Sequence, residues 1–175
     1  MLGNSQKDWF KRQLAIANGR YPLIVWVNTL PWIGTTGDDG WYLYTNERRE
    51  IANFIKDNNI RGLCMLSGDA HMLAIDDGTN SDYATSGGAA FPVFHAAALD
   101  QSPSLKGGPY SHGAFPGRGQ FGVMSVLDDG DSSIAVEWSG RNQNNTQIIG
   151  YSFSVAARNI VCGDSDENGV IELSD

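Results

Sequence analysis

Leu63-Cys64-Met65-Leu66-Ser67-Gly68-Asp69-Ala70-His71-Met72 is an apolar run that stops abruptly at a small residue, a carboxylate and an imidazole. A short apolar run closed by Ser-Gly reads as a buried strand that delivers its last side chains to the carboxyl edge of a sheet, the edge at which open α/β sheets hold ligands. In extended conformation Asp69 and His71, two positions apart, point to the same side, and Gly68 lets the backbone turn sharply or come close to a ligand. A carboxylate oxygen and an imidazole nitrogen together suit a divalent or trivalent metal such as iron, manganese or zinc. The plainer alternative is turn chemistry, because Asp after Gly also favours turns and caps.

Upstream, Ser5 to Ala17 carries Trp9, Phe10, Leu14, Ile16 and Ala17 at roughly helical spacing, with Ser5 and Asp8 as a capping-box-like start and Asn18-Gly19 as the end. Pro22 to Asn28 is a continuous apolar run rich in β-branched and aromatic residues, as in an interior strand covered on both faces. A glycine-rich loop from Thr29 to Gly40 follows. Thr45 to Asn58 then reads as a second helix, capped by Thr45 or Asn46, with Ile51, Phe54 and Ile55 on one face. Helix, strand, helix, strand is the rhythm of layered α/β folds. Downstream, Asp76 to Gly119 is rich in glycine, serine and proline, interrupted by one apolar stretch, Phe91 to Leu99, and irregular stretches of that length usually serve a site. Gln120 to Leu127 and Ser133 to Trp138 flank Asp128-Asp129-Gly130-Asp131 as a hairpin. Gln147 to Ala156 gives a further strand, with Ile148 or Ile149 and then Tyr151, Phe153 and Val155 on one face.

The chain has 175 residues, 41% of them hydrophobic and 18% charged, which fits one globular domain with a core and a short appendage. Its net charge of −8 argues against a nucleic-acid surface, which needs a basic face. No stretch of about eighteen apolar residues is present to span a membrane, and Met1 to Lys7 lacks the charged-then-apolar order of a signal peptide. Two cysteines, Cys64 and Cys162, are too few for a disulfide scaffold, and Cys64 reads as a small buried hydrophobe.

The tail divides from the rest: 1–157 forms the main domain and 158–175 a linker with a calcium-type loop. Asp164, Asp166, Asn168, Gly169 and Asp175 fall at positions one, three, five, six and twelve of an EF-hand-type loop. The backbone carbonyl of Val170 at seven and Glu172 at nine, through water, complete a Ca²⁺ shell. Asp at twelve, in place of Glu, is shorter and gives one oxygen instead of two. The pattern resembles half of a dockerin repeat, which makes a cohesin-like protein the partner expected for the tail.

Leu2-Gly3-x-x-Gln6-x-x-Trp9-Phe10, Asp39-x-Trp41-x-x-Tyr44-x-x-Glu47-Arg48 and Leu66-Ser67-Gly68-Asp69-Ala70-His71, in that order and with fitting gaps, resemble the PhoD-like (alkaline phosphatase D) branch of the calcineurin-type metallophosphoesterases. The likeness runs over roughly Met1 to Ser154. It implies an α/β fold, the carboxyl-terminal half of an αββα sandwich of mixed sheets with flanking helices, and a metal centre of iron, calcium, manganese or zinc at the strand ends. The implied activity is hydrolysis of phosphate mono- or diesters. By that likeness Asp69 is a metal ligand, His71 a ligand or a group facing the phosphate, and Asp39, Trp41, Tyr44 and Arg48 shape the substrate loop. The family also draws on an earlier half of its domain for metal ligands. Nothing in this chain supplies those groups, so it is expected to be a piece of a longer enzyme, inactive by itself, whose missing part carries the signal for an extracellular or periplasmic location.

The remaining histidines have two readings each. His95 lies in an apolar run and is as readily a satisfied core residue as a site residue, whereas His112, on the Gly107 to Gly113 loop, is a second catalytic candidate within reach of substrate. Arg48 has the charge to bind phosphate or to form a surface ion pair worth little. Two classes of function follow: a metal-dependent phosphoesterase, or a non-catalytic calcium-binding or cohesin-binding module on a phosphatase-like fold. Retention of both Asp69 and His71 favours the first.

Overall fold

A computed structural model describes residues 1–35 and 39–157. Residue 162 and the calcium-type loop, with Asp164, Asp166, Asn168, Val170, Glu172 and Asp175, lie outside the described residues. The described part is a mixed α/β structure whose elements run α1 (Asn4–Arg20), β1 (Ile24–Asn28), α2 (Thr45–Asp57), β2 (Leu63–Ser67), β3 (Met72–Asp76), β4 (Val93–His95), β5 (Ala114–Pro116), β6 (Gln120–Leu127), β7 (Ser133–Asn142) and β8 (Gln147–Ala156). A 3-10 turn, Trp41–Tyr44, leads into α2.

β1 to β5 form a mixed sheet in the order β1-β2-β4-β3-β5, and β6, β7 and β8 form an antiparallel sheet in chain order. β1, β2 and β4 run parallel, which sets Asn28 beside Ser67 and Ser67 beside His95 at their carboxyl ends. β3 returns antiparallel along β4. One face of the mixed sheet packs under the helices and the Trp-rich loop, with Trp26, Trp32, Trp41, Ile51, Ile55, Met65 and Phe91 in one apolar cluster. Its other face meets the antiparallel sheet: Cys64, Leu73, Ile75 and Phe94 pack on Val136, Trp138 and Ile149. The two sheets approach closely because Gly122 has no side chain, since a Cβ there would lie 2.7 Å from that of Ala96 and 2.9 Å from the Phe94 ring. Among the described residues no helix covers the outer face of the antiparallel sheet.

Several local expectations change. Helix α1 begins at Asn4, capped only by the backbone of Gly3 at φ 74, so Ser5 and Asp8 make no capping box. It runs on to Arg20, past Asn18-Gly19, because Asn18 is held from outside by the Arg61 N–H and the chain stops only before Pro22. Trp9 and Ile16 are about half exposed, and Leu14 is the buried anchor of the helix. Strand β1 is covered on one face: Ile24, Trp26 and Asn28 are buried while Val25 and Val27 are 38% and 75% exposed. In β8 the inward face is headed by Ile149, the parity of Tyr151, Phe153 and Val155.

β3, β4 and β5 are strands that the sequence reading did not name, Phe91 to Leu99 showing there only as an apolar stretch. Met72 to Asp76 is buried throughout, and its Met72 to Ile75 run, apolar on both faces, shows no alternation to distinguish it from the end of the strand before it.

Candidate active site at the carboxyl edge of the sheet

The turn Gly68 to His71 joins β2 to β3, and these two strands flank β4. The chain therefore passes over the end of β4, where His95 stands. The four residues accomplish this with two of them in left-handed backbone conformations, Asp69 at φ 74 and His71 at φ 44. Asp69 and His71 are thus turn residues and not neighbours on an extended strand, which corrects the expectation from their spacing. Non-glycine residues adopt such angles at a cost that surrounding contacts must offset.

His95, fully buried, supplies two of those contacts. Its Nε2 accepts the Ala70 N–H at 3.0 Å, so that nitrogen carries no proton. The proton sits on Nδ1, which donates to Ser67 Oγ at 2.8 Å. Burial pushes the imidazole pKa down from 6.5 to about 4, with Asp69 opposing and Lys106 reinforcing that effect, so the ring is neutral near pH 7.

The loop Asp100 to Gly108 closes over the turn. His71 Nδ1 lies 2.8 Å from the Ser102 carbonyl, which can only accept, so Nδ1 bears the proton and Nε2 keeps its lone pair. Ser104 Oγ donates to the Ala70 carbonyl at 2.9 Å, and Arg118 donates to Ser102 Oγ at 3.1 Å and to the Asp100 carbonyl at 2.9 Å. Lys106 places its ammonium 3.0 Å from Asp69 Oδ2 and 2.7 Å from Asp39 Oδ1, the second a close ion pair and not an aligned hydrogen bond. These carboxylates, the Asp39 contact first, raise the lysine pKa, so Lys106 is a cation at the site. Loops 29–35 and 100–108 fit together only because Gly34 and Gly107 both lack side chains: a Cβ on Gly34 would stand 2.5 Å from the Gly107 Cα.

Beside this turn, Val27, Asn28, Thr29, Leu30, Leu66, Ser67, Gly68, Asp69 and Ala96 line a cleft of about 500 Å³. Asp69 and His71 therefore meet one loop, Asp69 lines the cleft, and Asp39 joins them through Lys106. Trp41 is fully buried and donates from Nε1 to Asn28 Oδ1 at 3.2 Å, tying the loop to the end of β1. Arg48, 4% exposed, donates to the Trp32 and Gly34 carbonyls at 2.8 and 3.0 Å and lies over the Tyr83 ring at 3.6 Å. It is neither a surface ion pair nor open to phosphate, and it holds the Trp32 to Gly34 loop in place. Tyr44 is 40% exposed.

His112 is not brought to this site. Its backbone N–H bonds to the Ile75 carbonyl near the far end of β3, and its ring lies 3.5 Å from Asp77 Oδ2 and against Tyr151. Lys106, Ser102, Arg118 and the role of His95 escaped the sequence reading. Lys106 is the one lysine of the long Gly/Ser/Pro-rich segment, and that was the available signal.

Geometry also tests whether these residues fit a metal ion. Among the described residues no three or more His, Cys, Asp and Glu side chains converge to hold one, and the Asp69 carboxylate already faces an ammonium. Asp69 and His71 do not make a metal site by themselves. Among the described residues no helix is long and apolar enough to cross a membrane.

Residues 1–113 match the family model described as PhoD-like phosphatase. A solved structure described as "Structure of PhoD" superposes with a TM-score of 0.51 at 14% identity, covering 84% of this chain and 35% of that one. At that identity the likeness speaks for the fold, and the chain spans about a third of the length of that solved protein. No curated protein matches the chain.

Proposed function

The chain belongs to the PhoD-like phosphatase family, and from that premise we propose that it forms the carboxyl-terminal half of a metal-dependent hydrolase of phosphate mono- or diesters. The observation that carries the reading is that the Asp69 carboxylate and the His71 ring both contact one loop, beside a cleft that Asp69 lines at the carboxyl edge of the sheet. In this reading Asp69 and His71 are part of a ligand set of iron, calcium, manganese or zinc, and the other ligands come from polypeptide beyond this piece. Its solved neighbour is about 2.4 times as long, the same superposition covering 84% of this chain and 35% of that one. Among the described residues β1 is an edge strand, and the face bearing Val25 and Val27 is exposed, which supports the same view, since an αββα sandwich needs further strands and a second helical layer there.

What this chain's own side chains contribute can be stated without the metal. His71, its tautomer set by Ser102, offers a lone pair that can receive a proton or a cation. Lys106 offsets the charge of Asp39 and Asp69, so that an anionic ester meets less repulsion at the cleft mouth. The tail is proposed to bind Ca²⁺ through Asp164, Asp166, Asn168, Val170, Glu172 and Asp175 and to offer a dockerin-like surface to a cohesin-like partner. An extracellular or periplasmic location goes with calcium binding.

Asp69→Asn in the full-length protein tests the reading. Phosphate release from an aryl phosphate should be abolished while the circular dichroism spectrum stays the same; undiminished turnover would sink it. Isothermal titration with Ca²⁺ tests the tail, where Asp164→Ala should weaken binding and equal affinity would remove the calcium proposal.

A further inference from the structure

His95 is far from Asp69 and His71 in sequence, yet it stands directly beneath the turn that presents them. The strand order explains the need for such a residue. β2 and β3 are not neighbours, because β4 lies between them, so the connection must cross the end of β4 with no ladder hydrogen bonds of its own to follow. Its entry and its centre are instead tied to one imidazole at the last position of β4: Ser67, the final residue of β2, through its hydroxyl, and Ala70, between Asp69 and His71, through its N–H. Both ring nitrogens are engaged, the side chain is wholly buried, and the residues on either side of Ala70 have positive φ. A turn held at one central amide and at its entry has little freedom to relax out of a strained geometry.

We propose that His95 is a positioning residue for the active-site turn, acting through the Ala70 N–H to fix where Asp69 and His71 stand. The inference rests on the phosphoesterase reading for its catalytic meaning, while the positioning itself is a property of this chain alone. Outer groups that orient the residues of hydrolytic centres commonly matter about 10- to 100-fold when lost.

The experiment uses side-chain reach. An Asn amide at position 95 extends only as far as Nδ1, whereas a Gln amide reaches the place of Nε2 and can accept the Ala70 N–H. In the ¹⁵N-labelled full chain, imidazole nitrogen shifts report the His71 tautomer, and hydrogen exchange reports protection of the Ala70 amide. His95→Asn should let His71 sample both tautomers and speed Ala70 exchange about tenfold or more, and His95→Gln should restore both to near the wild-type values. Wild-type behaviour in His95→Asn, or failure of Gln to rescue, overturns the proposal. Should His95→Asn not fold, Ser67→Ala frees the ring at its other end, and unchanged Ala70 exchange in that variant overturns it equally. In the full-length enzyme, His95→Asn should lower kcat about 10- to 100-fold with KM unchanged; equal losses in the Asn and Gln variants would mark a purely structural role and also overturn it. A wild type that releases no phosphate with any divalent cation would defeat the phosphoesterase reading, and the magnetic resonance comparison would still decide the positioning.

Discussion

Lys106 holds its ammonium 3.0 Å from Oδ2 of Asp69, a carboxylate on a turn 37 residues earlier in the chain. The contact places a fixed positive charge where the family resemblance expects a metal ligand, and it joins the turn to the loop that closes over it. Exposure is 24% for the lysine side chain and 35% for the aspartate, so solvent screens the pair and its worth to stability is about 1 kcal/mol or less. Its influence on cations is the larger matter.

Lys106→Met should therefore barely alter the urea midpoint and should tighten the binding of Mn²⁺, read by electron paramagnetic resonance titration, by several-fold. Removal of a like charge about 4 Å from a cation is worth on the order of 1 kcal/mol or more near a surface. Equal Mn²⁺ affinity in both forms would mean that the ammonium does not oppose cations at Asp69.

Arg48→Lys should destabilise the protein by about 2 kcal/mol. The guanidinium serves two carbonyls and lies over the Tyr83 ring, all on a helix face otherwise buried through Ile51, Ala52 and Ile55. An ammonium cannot keep that planar stack and both acceptors. Urea denaturation measures the loss, and identical midpoints would show that the Trp32 to Gly34 loop is held by other means.

Acid should weaken the fold through His95. With the native pKa lowered to about 4 from 6.5, the unfolded chain binds a proton between those values that the native state does not. Stability from this group is therefore full above about pH 6.5 and falls as pH drops toward 4, by about 3 kcal/mol at most. Urea midpoints at pH 7 and pH 4.5 should diverge more in the wild type than in His95→Gln. Equal pH dependence in the two proteins would show that the imidazole does not titrate in that range.

The legible part of the fold was the part with local grammar. α2, β2, β6 and β8 lie close to where periodicity and turn residues put them, and the hairpin from β6 to β7 follows its Asp-Gly turn. The stop of α1 was misread because Asn18 is satisfied by the backbone of Arg61, 43 residues away, and no local rule contains that partner. The site was half legible. Gly68, Asp69 and His71 stood out as residue types, whereas Lys106 and His95 gain their meaning only from the strand order that folds distant segments over and under one turn. His112, a second catalytic candidate on its glycine-rich loop, is separated from His71 by β3, a strand that the pattern concealed.

That strand order also sets a timetable for folding. β6, β7 and β8 are neighbours in the sheet in the order in which they are made, so each pairing closes a short loop. In the other sheet Ile24 must find Leu63, and Met72 must find Pro116, each across some forty residues. Closing such loops costs chain entropy before any contact returns it, and sheets built this way form slowly. Pulse-labelled hydrogen exchange during refolding should protect the amides of β6 to β8 first and those of β1 and β2 last. The turn bearing Asp69 and His71, which depends on β4 being in place beneath it, would then be among the last parts of the chain to acquire its working shape.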